Sequence, residues 1–241
     1  MVRVLGILGG MGPAAAADFF AKVVAATEAA CDQAHIPTVV WSDPRIPDRT
    51  CALIAGDASP LPGMRRGLAV LESAGAQIVA IACNTAHRWH VDLAARSRAR
   101  VLHIAAAAAR EAAVARPHGG RVAILATQGT LRAGFYGPVF AARGLQTVRP
   151  PPRAQAAIGQ AIALAKSGAL VEGAAAFENA LVRVAAIGVD TAVMACTELP
   201  LLAAEGRSNG VRLIDASAAL ARAAVAACGA RVRRVRGSGA G

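Results

Sequence analysis

Short runs of aliphatic and β-branched residues alternate along the chain with longer Ala-rich stretches of helical character. The runs predict strands at Arg3–Leu8, Thr38–Trp41, Ile78–Ala82, Val101–Ile104, Arg121–Ala126, Thr147–Val148, Thr191–Ala195 and Val211–Ile214. Strand followed by helix, over and over, implies an α/β fold with a mainly parallel sheet covered on both faces.

The pattern also repeats. Val4-Leu-Gly-Ile-Leu-Gly-Gly-Met-Gly resembles Val122-Ala-Ile-Leu-Ala-Thr-Gln-Gly-Thr, Ile78-Val-Ala-Ile-Ala-Cys-Asn-Thr resembles Thr191-Ala-Val-Met-Ala-Cys-Thr-Glu, and Val101-Leu-His-Ile-Ala resembles Val211-Arg-Leu-Ile-Asp. The order is the same in both halves, with offsets of 118 residues between Val4 and Val122, 113 between Cys83 and Cys196, and 110 between Val101 and Val211. Two copies of one unit predict two pseudo-symmetric α/β domains, with the ligand in the cleft between them at the carboxyl ends of the strands.

Composition sharpens this picture. Hydrophobic residues make up 55% of the 241 and charged residues 17%, which excludes a charge-rich disordered chain, while 3% aromatics leave the core to Ala, Val, Leu and Ile. Mean hydropathy is +0.45, yet Gly, Pro, Arg, Asp or Glu interrupts every apolar stretch before about 20 residues, so no membrane span is expected. Gly6, Gly9, Gly10, Gly12 and Pro13 break the N-terminal run that could otherwise pass for a signal peptide. Five cysteines without a CxxC pair then point to free thiols in a reducing, cytoplasmic compartment.

The net charge of +11 suggests a nucleic-acid partner, but the basic residues are almost all Arg and are scattered. Their one dense run, Arg231, Arg233, Arg234 and Arg236, ends in Gly237-Ser-Gly-Ala-Gly and is read as a disordered, solvated tail over 231–241, with no nucleic acid bound.

Chemistry concentrates at two places. Cys83 precedes Asn84-Thr85-Ala86-His87 and Cys196 precedes Thr197-Glu198-Leu199-Pro200, each directly after an apolar strand and at equivalent repeat positions. A single strand-end Cys is most often a small core residue. Matched thiols facing one another suit proton transfer instead, in which one thiolate removes a proton from a carbon while the other thiol delivers one to the opposite face, inverting the stereocentre. A helix N-terminus or a neighbouring cation lowers a thiol's pKa, so thiolate near neutral pH is expected here. Cys31, Cys51 and Cys228 lack this context and are assigned to packing.

Gly6-Ile-Leu-Gly-Gly-Met-Gly-Pro, Asp48-Arg-Thr, Cys83-Asn-Thr-Ala-His, Ala126-Thr-Gln-Gly-Thr and Cys196-Thr-Glu-Leu-Pro, in this order, resemble the aspartate racemase branch of the aspartate/glutamate/hydantoin racemase superfamily over about residues 4–220. The resemblance implies a cofactor-independent, usually dimeric racemase of two similar α/β domains whose last helix returns to the first. The domains would then be 1–104 plus 215–230, and 105–214. It further implies a small amino-acid substrate, aspartate first and glutamate second, with Cys83 and Cys196 as the acid/base pair. Asn84, Thr85, Thr197 and the Thr127–Thr130 loop would donate to the α-carboxylate, Arg49 and Lys166 would hold the distal carboxylate, and Met11 would shape the pocket.

Each of these residues has a plainer alternative. For the threonines it is helix capping, for Arg49 a surface ion pair with Asp48 or a neighbour, and for Lys166 a cation at a helix C-terminus. Glu198 stands where the glutamate branch carries His; a charge at a helix N-terminus explains it equally, and His87 is either a tuner of Cys83 or a capping or core residue. Among rival functions, Gly10-Met-Gly-Pro-Ala-Ala satisfies G-x-G-x-x-A, but no clear second strand ends in an acid about 20 residues on, so a dinucleotide-binding oxidoreductase is the less favoured alternative. Broad-specificity amino-acid racemases, hydantoin racemases and maleate isomerases remain as alternatives within the superfamily. No Lys-centred cofactor motif and no spaced metal-ligand cluster is present, so neither cofactor nor metal is expected.

Overall fold

All five residues of β1 (Leu5–Gly9) are buried, as befits a central parallel strand covered on both faces. The structure, a computed structural model, describes residues 2–203 and 206–233. β1 leads into α1 (Pro13–Ala26), whose Pro13 opens the helix where no N–H is needed. Then follow β2 (Thr38–Ser42), α2 (Arg49–Ala55), α3 (Pro60–Ser73), β3 (Ile78–Ile81), α4 (His90–Ala94), β4 (Arg100–Val101) and α5 (Ile104–Ala115). The second half runs β5 (Gly120–Leu125), α6 (Gln128–Ala133), α7 (Tyr136–Ala141), β6 (Leu145–Val148), α8 (Pro152–Ser167), α9 (Leu170–Ala185), β7 (Thr191–Met194), β8 (Gly206–Ser208), β9 (Val211–Asp215) and α10 (Ala216–Cys228).

Two sheets result, ordered β2-β1-β3-β4 and β6-β5-β7-β9-β8. The first is parallel throughout, and so are the first four strands of the second. The shared order realises the repeat: β1 corresponds to β5, β3 to β7 and β4 to β9. In each sheet the crossovers diverge between the first and third of these strands, so the switch points lie beside the ends of β1 and β3 and of β5 and β7.

Two local expectations change. β8 was not expected; it pairs antiparallel with β9 through Asn209 and Gly210, at φ 49° and 76°, the two positive values a tight hairpin turn requires. The strand expected over Val101–Ile104 stops at Val101, because Ile104 already opens α5 and its N–H donates to His87 Nε2 at 3.1 Å. That bond leaves the His87 proton on Nδ1, which donates to the Cys83 carbonyl at 2.9 Å. Burial first, then the neighbouring His103, depresses the His87 pKa to about 3, so this ring stays neutral and ties β3 to α5 as a core residue.

α10 returns to pack on α1, α5 and β3. Its N-cap Asp215 accepts from the N–H groups of Ser217 and Ala218 and pairs with Lys22 Nζ of α1 at 2.7 Å. Alanines on α5 (Ala105, Ala108, Ala109, Ala112) and on α10 (Ala219, Ala221, Ala224) are fully or almost fully buried, and their small side chains let these helices approach closely. One apolar cluster continues from Phe19 and Val23 through α5 and α10 to Tyr136 and Phe140, so the halves share a core.

The tail expected from 231 is ordered in its first three residues: Glu28 N–H donates to the Arg231 carbonyl at 2.9 Å and Arg233 N–H to that of Ala26 at 2.8 Å. Residues 234–241 lie outside the described residues. Among the described residues no helix is long and apolar enough to cross a membrane.

Candidate active site

Each switch point delivers a thiol. β3 ends one residue before Ala82 and Cys83, and a short 3-10 helix over Thr85–Trp89 follows; β7 ends before Ala195 and Cys196, followed by a 3-10 helix over Leu199–Leu201. Both cysteines line one pocket together with Met11, Arg49, Asn84, Thr85, Thr127, Lys166 and Thr197. Of the residues expected from sequence only Thr130 stands back from the wall, fully enclosed behind Thr85 and Thr127. Asp48, Thr50 and Glu198 complete the lining. The lobes close tightly here: a Cβ on Gly129 of α6 would come within 2.8 Å of Thr50 Oγ1 and 3.0 Å of Thr50 Cα. The pocket has room for little more than a water molecule, less than an amino acid needs.

Arg49 is not a surface residue. At 9% exposure it donates from Nη1 to the carbonyls of Ile46 and Pro47 at 3.0 and 2.9 Å and from Nη2 to that of Met11 at 3.0 Å. Nε has no partner, and no carboxylate pairs with the guanidinium among the described residues. Three carbonyls hold the fork in place, and the Asp48 carboxylate acts on its charge from a distance and not as an ion-pair partner, a state that favours an incoming anion. Asp48, the expected ion-pair partner, instead caps α2 by accepting from the N–H groups of Thr50 and Cys51. Lys166 occupies the last turn of α8 and is exposed, so its helix-end position and its place on the pocket wall coexist.

Three hydroxyls join the lobes. Thr85 Oγ1 lies 3.0 Å from Thr127 Oγ1 and 2.9 Å from Thr130 Oγ1, and those two are 3.1 Å apart. Thr127 also caps α6 by accepting from the Thr130 N–H. The cap and a place on the pocket wall therefore fall on the same residue. Beside the triad, Asn84 is buried and its Nδ2 has no partner among the described residues.

The thiols differ in their surroundings. Burial pushes Cys83 up from its ordinary pKa, against the pull of the Arg49 guanidinium. Burial and then the Glu198 carboxylate push Cys196 well up. Thiolates at neutral pH, expected from the strand-end position, are thus corrected for the closed pocket: desolvation outweighs the helix end. Cys196 Sγ donates to Glu198 Oε2 at 3.0 Å, and Thr197 Oγ1 donates to the same oxygen at 3.2 Å. The other oxygen, Oε1, is buried without a partner among the described residues and lies 3.4 Å from where a Cβ on Gly12 would sit. Glu198 therefore touches a candidate reacting group, a contact its sequence position left undecided. No group of three or more His, Cys, Asp or Glu among the described residues is placed to hold a metal ion.

Similarly ordered sheets whose switch points meet across a closed, polar, thiol-bearing pocket define a two-lobed α/β enzyme with its candidate site between its halves. The chain belongs to the Asp/Glu/Hydantoin racemase family, whose model matches residues 8–224, and it is an isomerase of the racemase type. It is 27% identical to the broad specificity amino-acid racemase RacX of Bacillus subtilis over 92% of this chain and 96% of that one. It is 30% identical to a glutamate racemase of Deinococcus radiodurans over 79% of this chain and 62% of the other. Among solved structures, an aspartate racemase of Picrophilus torridus superposes with a TM-score of 0.84 at 29% identity, covering 96% of each chain.

Proposed function

We propose that the protein racemises acidic amino acids, aspartate first and glutamate second, by proton transfer through Cys83 and Cys196 without a cofactor. The observation that carries this reading is the pairing of two thiols at equivalent strand ends with a buried guanidinium that lacks a carboxylate partner. In this reading the distal carboxylate meets Arg49, with Lys166 at the mouth. The α-carboxylate meets Asn84, Thr85 and Thr197, whose donors also favour the negative charge that grows as the Cα proton leaves. The broad specificity of the Bacillus relative is the competing reading. A neutral substrate would leave the Arg49 guanidinium without a carboxylate bonded to it, which favours the acidic one.

The thiols then divide the work. Cys83, beside Arg49, ionises first and takes the Cα proton, and Cys196 delivers its own proton to the opposite face. One turnover exchanges their protonation states, which is the form required by the other enantiomer. Before a further turnover in the same direction Cys83 must release the proton it took and Cys196 must regain one, and Glu198, in contact with Cys196 Sγ, is placed to relay that proton to it from solvent.

Incubating each enantiomer of aspartate, glutamate and alanine with no added cofactor, followed by chiral chromatography, tests the function. Aspartate and glutamate should reach racemic mixtures far faster than alanine. Failure of both acidic amino acids, or a requirement for pyridoxal phosphate, would overturn the reading.

Glu198→Gln tests the division of work. Removing a negative charge beside Cys196 lowers that thiol's pKa. In the direction where Cys196 must supply a proton, kcat should therefore fall off at lower pH than in the wild type. In the opposite direction, where Cys196 is the base, the rising limb should also move to lower pH. Profiles of kcat against pH in both directions that match the wild type would remove Glu198 from the mechanism.

A further inference from the structure

We infer that Tyr136 is a positioning residue that turns Asn84 into a hydrogen-bond donor for a substrate carboxylate, so that the second lobe orients the anion site of the first. The inference rests on the proposed racemase reading for the identity of the ligand and deepens it at one atom.

Tyr136 is the only tyrosine in the chain and opens α7. It is 4% exposed, and its hydroxyl meets Asn84 Oδ1 at 2.5 Å across 52 residues of sequence. Asn84 is 2% exposed, lines the pocket, and has no partner for Nδ2 among the described residues.

The side-chain amide has two orientations, and the phenol selects between them. If Asn84 presented its NH2 to Tyr136, the phenolic hydrogen would be buried without an acceptor, since Asn84 is the hydroxyl's hydrogen-bond partner among the described residues. With Oδ1 toward Tyr136 that hydrogen is satisfied, and both amide hydrogens are left for the pocket. A buried donor facing a cavity is matched by an anion and mismatched by a cation. Burial, then the nearby Cys196 and Asp215, keep the Tyr136 pKa well above its ordinary value, so the phenol remains a donor throughout the working pH range. The ring is held between Phe135 and Phe140, with centroids 5.2 and 5.6 Å away. A Phe at this position keeps that packing and loses only the hydroxyl.

The test is binding of succinate, a dicarboxylate that needs no turnover, by calorimetry on the full chain, together with KM and kcat for aspartate. Tyr136→Phe should raise the succinate Kd and the aspartate KM by roughly 2- to 12-fold, the range for one neutral hydrogen bond, with a smaller change in kcat. In an Asn84→Ala background the same change should have no further effect. Asn84→Asp, which keeps the shape, should bind succinate worse than Asn84→Ala, because Tyr136 holds one carboxylate oxygen and turns the other toward the ligand.

An unchanged Kd in Tyr136→Phe, a full-sized effect in the Asn84→Ala background, or succinate binding by Asn84→Asp that equals or exceeds Asn84→Ala would overturn the inference. A wild type that does not bind succinate would overturn it too. Succinate binding with the expected pattern but no racemisation would sink the racemase reading and leave Tyr136 in place. Racemisation indifferent to Tyr136→Phe would do the reverse.

Discussion

Cys83→Ser and Cys196→Ser are each expected to lower racemisation of aspartate by about 10²- to 10⁴-fold, the range associated with a positioned acid or base. The loss comes from chemistry and not from shape, since both side chains are buried to the same degree and Ser differs from Cys by one atom. A hydroxyl is too weak a base to remove a Cα proton, whereas a thiolate is not. Each variant retains one thiol, so each should still eliminate a β-leaving group from one enantiomer of chloroalanine if the pocket admits it, and the two variants should prefer opposite enantiomers. In D2O the wild type should place solvent deuterium at Cα of the product. Near-wild-type racemisation by both Ser variants, or product that keeps its Cα hydrogen in D2O, would end the two-thiol mechanism.

The thiols could be located from sequence because a strand end is a local event: an apolar run stops, a polar residue follows, and the Cys falls between. The repeat did the rest, by placing Cys83 and Cys196 in corresponding strands of two sheets with the same order. Other features depended on what closes over them. Desolvation of a thiol is a property of two lobes meeting, so a strand-end motif pointed to lowered pKa values where burial raises them. Arg49 looked like a turn residue beside Asp48, and only the folded loop shows its fork clasped by three carbonyls. Tyr136 had no local signal at all, since its partner is 52 residues away in the other lobe. β8, by contrast, was readable: Ser208-Asn-Gly-Val carries the Asn-Gly dipeptide that favours positive φ at both central positions of a hairpin. The Val101–Ile104 run misled because an apolar stretch spans a strand end and a helix start alike, and a His87 nitrogen decides which residue begins the helix.

Arg49→Ala should produce the second large loss, and it should fall on charge. Truncating one partner of a buried charge pair costs about 2–5 kcal/mol, roughly thirtyfold to several thousandfold in kcat/KM. That loss is expected for aspartate and glutamate, which place a carboxylate at the fork, and not for alanine, which has none. Lys166→Ala should lose far less, because Lys166 is exposed and its attraction for the same carboxylate is screened by solvent. Arg49→Lys should rescue poorly, since one ammonium cannot reach the carbonyls of Ile46, Pro47 and Met11 in the geometry of the fork while also facing a ligand. The substitution will also weaken the fold somewhat, because those carbonyls lose their donor. The ratio of kcat/KM for aspartate to that for alanine within one variant is independent of how much of the sample is folded, and it is the quantity to measure. A ratio that stays at the wild-type value in Arg49→Ala, however low both activities fall, would show that the buried guanidinium supports the loop and does not read the substrate.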